Sequence, residues 1–178
     1  MSIHSPRLTL PVGERDHALG PAEAPATLVE YGDYECPHCG LAHGVVQSVR
    51  QKLGDRLRFI FRNFPLSTSH PHAMHAAEAA EAAGAQGKFW EMHDKLFENQ
   101  QHLKDADLLR YAQDVGLDVG RFTQDMQSHA FADRVQEDFR SGMRSGVNGT
   151  PTFFINDARY NGGNQLDPLV DSLQRVAS

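Results

Sequence analysis

The sequence has few cysteines, no long apolar run and no excess of positive charge. Only two of its 178 residues are cysteine, which excludes a small domain held together by several disulfides. No apolar run approaches the roughly 18 residues that cross a bilayer, so we expect no membrane span. A net charge of −6 lacks the basic excess of a nucleic-acid-binding surface. We therefore expect no nucleic acid partner.

The first residues also lack a feature, namely the apolar segment of a secretory signal. Residues 1–7 read Met-Ser-Ile-His-Ser-Pro-Arg. Taken as the native start, they predict a cytoplasmic protein, and two cysteines in one motif fit a reducing compartment. A processed or trimmed chain from the periplasm or the extracellular space would look the same.

What the chain does have is enough length and apolar content for a core. Apolar residues make up 40% of the sequence. The length predicts one domain, or one domain that carries a large insertion.

Both cysteines lie in one short motif, Cys36-Pro37-His38-Cys39. Pro37 suits the first position of a helix, with Cys36 as the N-cap and Cys39 one turn in. The positive end of that helix favours a thiolate at Cys36, and a protonated His38 would add to this effect. A stabilised thiolate is a good leaving group and makes the disulfide a good oxidant.

Two other interpretations of the cysteine pair stay open. A structural disulfide across two residues closes too short a loop to remove much unfolded-chain entropy. A zinc site usually needs four ligands, and no second C-x-x-C is present. The sequence therefore favours a redox-active pair with no metal and no other cofactor.

The chain up to residue 62 predicts a strand–helix–strand unit. Residues 27–33 and 56–62 are the two strands, which we expect to run parallel. Residues 8–12 are a possible short edge strand, and residues 16–25 a loop. The intervening helix carries an apolar stripe at four-residue spacing that should pack on the sheet, formed by Leu41, Val45, Val49 and Leu53.

Residues 72–143 show only helical patterns, which predict five helices. We interpret this block as an all-helical insertion, because so long a crossover between two strands would be unusual. A third strand at 149–155, a hairpin at Asn156-Asp157, a returning strand at 158–161 and a closing helix at 165–176 follow.

In this order of elements, with Cys36-Pro37-His38-Cys39, Glu30 and Thr150-Pro151, the chain resembles the DsbA-like branch of the thioredoxin superfamily. The resemblance implies an α/β thioredoxin fold, a central mixed β-sheet flanked by helices, with an inserted all-helical domain. It divides the chain into residues 1–62, an N-terminal extension and the first βαβ part; residues 63–146, the helical domain; and residues 147–178, the C-terminal ββα part.

The resemblance also implies roles for site residues. Cys36 is the exposed nucleophile, and Cys39 is the shielded thiol that resolves the mixed disulfide. Glu30 occupies the place of a buried acid, whose pKa should rise on burial and which would deprotonate Cys39 through a water. Thr150-Pro151 is the cis-proline loop, on which an extended substrate could pair as an added strand.

His70, His72 and His75 suggest a metal site at first sight. Because no acid or cysteine completes the set nearby, we interpret them as solvated loop and helix-cap histidines. The aromatic residues at helical spacing are expected in the core; they are Phe89, Trp90, Phe97, Phe131 and Phe139.

We therefore expect a monomeric thiol–disulfide oxidoreductase that acts on protein or peptide thiols and is recycled by a redox partner not named by the sequence. The direction of net electron flow is open. Alternatives are a cytosolic reductase or peroxide-defence thiol enzyme, and a non-catalytic module that binds a metal through its cysteines. An isomerase ranks lower, because nothing resembles a dimerisation domain.

Overall fold

The computed structural model describes residues 6–178, which form one sheet and seven α-helices. The strands are β1 (His17–Leu19), β2 (Ala26–Gly32), β3 (Leu57–Asn63), β4 (Thr152–Ile155) and β5 (Ala158–Tyr160). The helices are α1 (Pro37–Leu53), α2 (Ala73–Gly84), α3 (Phe89–Glu98), α4 (Asp105–Asp114), α5 (Val119–Gln127), α6 (Ala132–Arg144) and α7 (Leu166–Ala177). None of these helices combines the length and the apolar composition that a bilayer span requires.

The sheet has the order β1-β3-β2-β4-β5. β1 runs antiparallel to β3, β2 to β4, and β4 to β5. Glu30 of β2 lies opposite Phe153 of β4, which places this acid in the middle of the sheet. The expected α/β fold with a mixed sheet is confirmed.

The chain forms two compact units. The sheet unit comprises the described residues up to Gly32, then Leu41–Arg62 and Arg140–Ser178. The helical unit comprises Asp33–Gly40 and Asn63–Phe139. The eight residues around the cysteine motif therefore group with the helices, while residues 140–146, which the sequence analysis gave to the insertion, group with the sheet.

The prediction of an edge strand at residues 8–12 is wrong. The strand at that end of the chain is β1, which forms one edge of the sheet and lies inside the stretch expected to be a loop. The backbone of the earlier segment has other partners. Leu8 donates its N–H to the Asp157 carbonyl at 2.9 Å, and the carbonyls of Leu10 and Pro11 accept from the Arg62 guanidinium. Pro11 has no N–H to give to a ladder.

The apolar stripe predicted on α1 is also partly wrong, since Leu41 is 72% exposed. A four-residue step advances 400° around a helix with about 3.6 residues per turn, so a strict spacing of four drifts off one face. The buried stripe follows the true period instead and consists of Ala42, Val46, Val49 and Leu53.

The sheet unit contains a fully buried ion pair between Arg62 of β3 and Asp16. The two side chains form hydrogen bonds of 2.8 and 3.0 Å. Arg62 also donates to the hydroxyl of Tyr31 at 2.9 Å. Burial opposes the charge on Arg62, but the hydrogen bond and the charge of Asp16 outweigh this, so the pKa of Arg62 is raised. A charge this well satisfied can be kept in a core.

Replacing Asp16 with Asn should therefore leave the Arg62 charge buried without its counter-charge. We expect the free energy of unfolding to fall by about 3–5 kcal/mol, measured by urea denaturation. Asp55→Asn, at an exposed position, is the matched control and should change it by less than about 0.5 kcal/mol. Equal losses in the two variants would contradict this role of the pair.

Candidate active site

The two cysteines lie at the start of α1. The helix begins at Pro37, so Cys36 directly precedes it and Cys39 is in its first turn. The N–H of Gly40 donates to the Cys36 carbonyl at 3.1 Å. This is the local geometry that the motif predicts, because Pro37 has the fixed φ and the missing N–H that suit a first helical residue.

The exposure of Cys36 differs from the expectation. Cys36 is 4% exposed and Cys39 0%, so Cys36 is not an open surface thiol, although the remaining access belongs to it. The two residues between them, Pro37 and His38, are exposed. We predicted an exposed Cys36. In the structure only a small part of its surface is accessible, although the neighbouring Pro37 and His38 are exposed.

Asp33 is the centre of the polar network around the motif. Its Oδ1 accepts from the N–H of Glu35 at 2.7 Å, and its Oδ2 accepts from the N–H of Leu66 at 2.8 Å. The N–H of Asp33 in turn donates to the sulfur of Cys39 at 3.5 Å. The buried carboxylate therefore fixes the loop that carries the cysteines.

His70 forms the fourth contact of Asp33, through Nδ1 to Oδ2 at 2.8 Å. Burial of His70 disfavours its protonated form. The hydrogen bond and charge of Asp33, together with the negative charges of Cys36 and Glu35, outweigh burial and raise the pKa of His70. His70 is therefore an imidazole held against Asp33 with a raised pKa, not the solvated loop histidine that we expected.

Further side chains of the helical unit hold the same loop. The carboxylate of Glu35 accepts from the N–H of His72 at 3.0 Å. The Gln100 amide donates to the carbonyls of Tyr34 at 2.9 Å and of Cys36 at 2.8 Å. Each of these contacts satisfies a polar group at the edge of the loop, which limits the movement of the cysteine backbone.

Gly40 makes the Gln100 contact possible. A Cβ at position 40 would overlap the amide of Gln100, so a larger residue there would push Gln100 away from the loop carbonyls.

Tyr34, which is buried, shares a 2.9 Å hydrogen bond with Nδ1 of His93 and packs on Phe97 with ring centroids 4.8 Å apart.

The other residues predicted from the family resemblance lie in the sheet unit. Glu30 is buried, as expected for the family's acid. The Thr150–Pro151 peptide bond is cis, and both residues are partly exposed just before β4. The roles of Glu30, Thr150 and Pro151 stay predictions, as does the tuning role of His38.

Sequence reasoning missed Asp33, His70 and Gln100. Asp33 had a signal, because an aspartate at the end of an apolar strand commonly bonds the backbone two residues on. His70 and Gln100 had none. They come from loops far along the chain, and only the folded helices bring them to the motif.

Comparison with known proteins places this site in a family. The Thioredoxin family model matches residues 13–175. A curated relative, the Na⁺/H⁺ antiporter NhaA 1 of Salinispora arenicola, is 48% identical over 165 residues, which are 91% of this chain and 25% of the relative. The chain thus spans about a quarter of the length of the curated relatives that it matches.

Solved structures agree in fold. A thioredoxin-like oxidoreductase from Silicibacter pomeroyi has a TM-score of 0.81 at 30% identity and covers 92% of both chains. BdbD from Bacillus subtilis has a TM-score of 0.82 at 24% identity, covering 98% of this chain and 97% of its own. Alpha-DsbA1 from Wolbachia pipientis has a TM-score of 0.80 at 24% identity, covering 96% of this chain and 94% of its own. With its motif at the start of α1 and its family-model match, the chain belongs to the thioredoxin family and has the fold of DsbA-like proteins.

Proposed function

We propose that the chain is a thiol–disulfide oxidoreductase that exchanges a Cys36–Cys39 disulfide with the dithiols of other proteins. The observation that carries this proposal is the position of the two cysteines, one before and one within the first turn of a 17-residue helix. The unpaired N–H groups at that helix end favour negative charge on sulfur. The likeness to a thioredoxin-like oxidoreductase at 30% identity supports the same reaction class.

The proposed reaction proceeds by two exchanges. A substrate thiolate attacks the sulfur of Cys36, the Cys36–Cys39 bond breaks, and Cys39 leaves with the electron pair and takes up a proton. A second substrate thiolate then attacks the substrate sulfur of the mixed disulfide, and Cys36 leaves as a thiolate. The substrate loses two electrons and two protons. The enzyme gains both electrons and one proton, which Cys39 carries, and the other proton goes to solvent.

His70 is proposed as the charge that tunes this chemistry. A negative charge at Cys36 raises the pKa of His70. Coupling between two titrating groups is reciprocal, so a protonated His70 must stabilise negative charge at Cys36 by the same amount. Asp33 holds the imidazole in place and thereby keeps the charge beside the motif.

Three residues of the sheet unit, together with His38 of the motif, complete the proposal. Glu30, a carboxylate buried on β2, is proposed to exchange the proton of Cys39 during resolution. Thr150 and Pro151 are proposed to bind an extended peptide by main-chain pairing, as an added strand. His38 is proposed to add a second positive charge at the helix start.

The net direction of electron flow depends on the reduction potential of the Cys36–Cys39 pair compared with the redox potential of its compartment. A potential near that of cytosolic thioredoxin would make the chain a reductase, and a much more oxidising one an oxidase. Either direction requires a redox partner that recycles Cys36 and Cys39.

A second candidate function rests on the curated relatives. Proteins named Na⁺/H⁺ antiporters carry a segment 45–48% identical to this chain within a length about four times as great. A redox domain and a transporter joined in one polypeptide have a high effective concentration for each other. This favours a role in which the chain exchanges thiols or disulfides with such an antiporter.

The assigned roles of the cysteines predict different outcomes for two matched variants. Cys39→Ser leaves a mixed disulfide at Cys36 without its resolving thiol, so substrate proteins should accumulate as covalent adducts on non-reducing gels. Cys36→Ser removes the attacked sulfur and should give almost none. If Cys36→Ser traps substrates and Cys39→Ser does not, the assignment is reversed.

The His70 charge predicts a change in the pH dependence of Cys36. In a Cys39→Ser background, where one thiol remains, His70→Asn should raise the pH of half-maximal alkylation by iodoacetamide by roughly half a unit. The raised pKa of His70 keeps its charge to higher pH than usual, so the difference in rate should be present below that pKa and disappear above it. His102→Asn, at an exposed histidine, is the control. An identical shift, or none, in both variants argues against a tuning role.

The antiporter role can be tested by exchange of segments. The matched segment of the Salinispora arenicola protein is replaced by this chain, and Na⁺-driven proton flux is followed in vesicles under oxidising and reducing thiol buffers. We expect flux to depend on the buffer with the wild-type chain and not with Cys36→Ser/Cys39→Ser. The same response with both chains would exclude redox control through this motif.

A further inference from the structure

The helical unit contains a second cluster of metal-binding residue types, formed by His75, Glu78 and His129. One ligand atom from each lies within 4.8 Å of the other two. His75 and Glu78 are three residues apart on α2, so they share one face of that helix. His129 comes from the turn between α5 and α6. The sequence analysis considered His75 with His70 and His72 and found no acid nearby; it overlooked Glu78, three residues after His75.

We propose that these residues, with Asp105, form a binding site for a divalent transition-metal ion of the zinc type. Two imidazoles and one carboxylate are the protein ligands of open zinc sites, in which the fourth position takes water or another molecule. Such a site differs from the cysteine pair in its ligands, because it needs no thiolate.

The distances within the cluster fit a shared ion after small side-chain rotations. Nδ1 of His129 lies 3.0 Å from Oε1 of Glu78. Zinc binds nitrogen and oxygen at about 2.0–2.2 Å, so two of its ligand atoms lie roughly 3–3.5 Å apart. The rings of His75 and His129 have their centroids 5.9 Å apart, and His75 therefore needs the largest adjustment.

Burial of the carboxylate supports a ligand role for Glu78. Its side chain is only 3% exposed, whereas that of His129 is 58% exposed and that of His75 46%. A buried carboxylate needs a positive partner. The cluster thus has a buried carboxyl group at its base and two half-exposed imidazoles at its mouth, where an ion from solvent can enter.

Asp105 contacts the ligand His75 and would not itself bind the ion. Its Oδ1 lies 2.9 Å from Nδ1 of His75. In metal sites a carboxylate often holds one imidazole nitrogen and leaves the other for the ion. Asp105 would act in this way on His75, with Nε2 as the ligand atom.

The backbone of His129 is also unusual, with a φ of 52°. This left-handed conformation is uncommon for a residue other than glycine, and it occurs more often at functional sites. It belongs to the turn that sets the His129 ring against α2, where Nδ1 contacts Glu78.

A cavity beside the cluster would accommodate a molecule on the open side of the ion. It has a volume of about 420 Å³ and is lined by His75, Asp105 and His129 together with Leu108, Phe122 and Met126. His75, Asp105 and His129 form a polar wall of this cavity, and much of the remaining lining is apolar. A small molecule with one metal-binding group and an apolar body has the chemistry that fits both walls.

Zinc titration tests the proposal, with untagged protein that carries Cys36→Ser and Cys39→Ser so that thiolates contribute nothing. We expect one Zn²⁺ per chain by calorimetry and a rise in melting temperature with Zn²⁺. Binding should weaken as the pH falls, because protonated histidines cannot ligate the ion. Absence of saturable binding overturns the proposal.

Variants on the same background locate the site. His75→Ala and Glu78→Gln should each weaken Zn²⁺ binding by more than about tenfold, and Asp105→Asn by about tenfold. His129→Asn should match His75→Ala, and asparagine tolerates the left-handed backbone at this position. His102→Ala removes an exposed histidine outside the cluster and should leave the affinity unchanged.

Circular dichroism of each variant separates a lost ligand from a lost fold. If folded His75→Ala, Glu78→Gln and His129→Asn bind Zn²⁺ as tightly as their parent, or if His102→Ala weakens binding as much as they do, the ion binds elsewhere and the proposal is wrong.

Discussion

The carboxylate of Asp33 is the constraint on which the rest of the motif's geometry depends. It accepts the N–H groups of Glu35 and Leu66 and the imidazole of His70, while its own N–H donates to the sulfur of Cys39. A buried carboxylate is stable only when donors surround it. The same contacts that satisfy Asp33 therefore fix the turn into α1 and the position of the His70 imidazole, and they contribute to the shielding of Cys39.

Buried charge organises both units of the chain, with different results. In the sheet unit, the side chains of Arg62 and Asp16 are fully buried and form an ion pair. Arg62 also donates hydrogen bonds to the backbone carbonyls of Leu10 and Pro11. Such a pair fixes the N-terminal segment and has no exposed titrating group. At the motif, by contrast, His70 keeps 20% of its side chain exposed. Its imidazole can therefore exchange protons with solvent, unlike the fully buried pair of Arg62 and Asp16.

The helical unit contains the cysteine loop and supplies the polar contacts described for it. Gln100 binds the backbone carbonyls at the motif, and His72 binds Glu35. The same unit carries the His75, Glu78 and His129 cluster. The proposed metal site shares no side chain with the contacts of the cysteine loop.

The sequence by itself determined most of the elements and the position of the cysteine pair at the start of α1. Proline at position 37 starts α1, apolar periodicity predicts the later helices, and glycines and the Asn156-Asp157 turn end the strands; each is a local effect of neighbouring residues. The edge-strand prediction failed because long-range contacts decide which segment joins the sheet. The predicted α1 stripe failed at Leu41 because a strict four-residue spacing departs from the helical period. Only the tertiary structure joined His70 to Asp33 across 37 residues, Gln100 to Cys36 across 64 and His129 to Glu78 across 51. Contacts between side chains so far apart leave no periodic trace in the sequence, because they arise from the packing of whole elements.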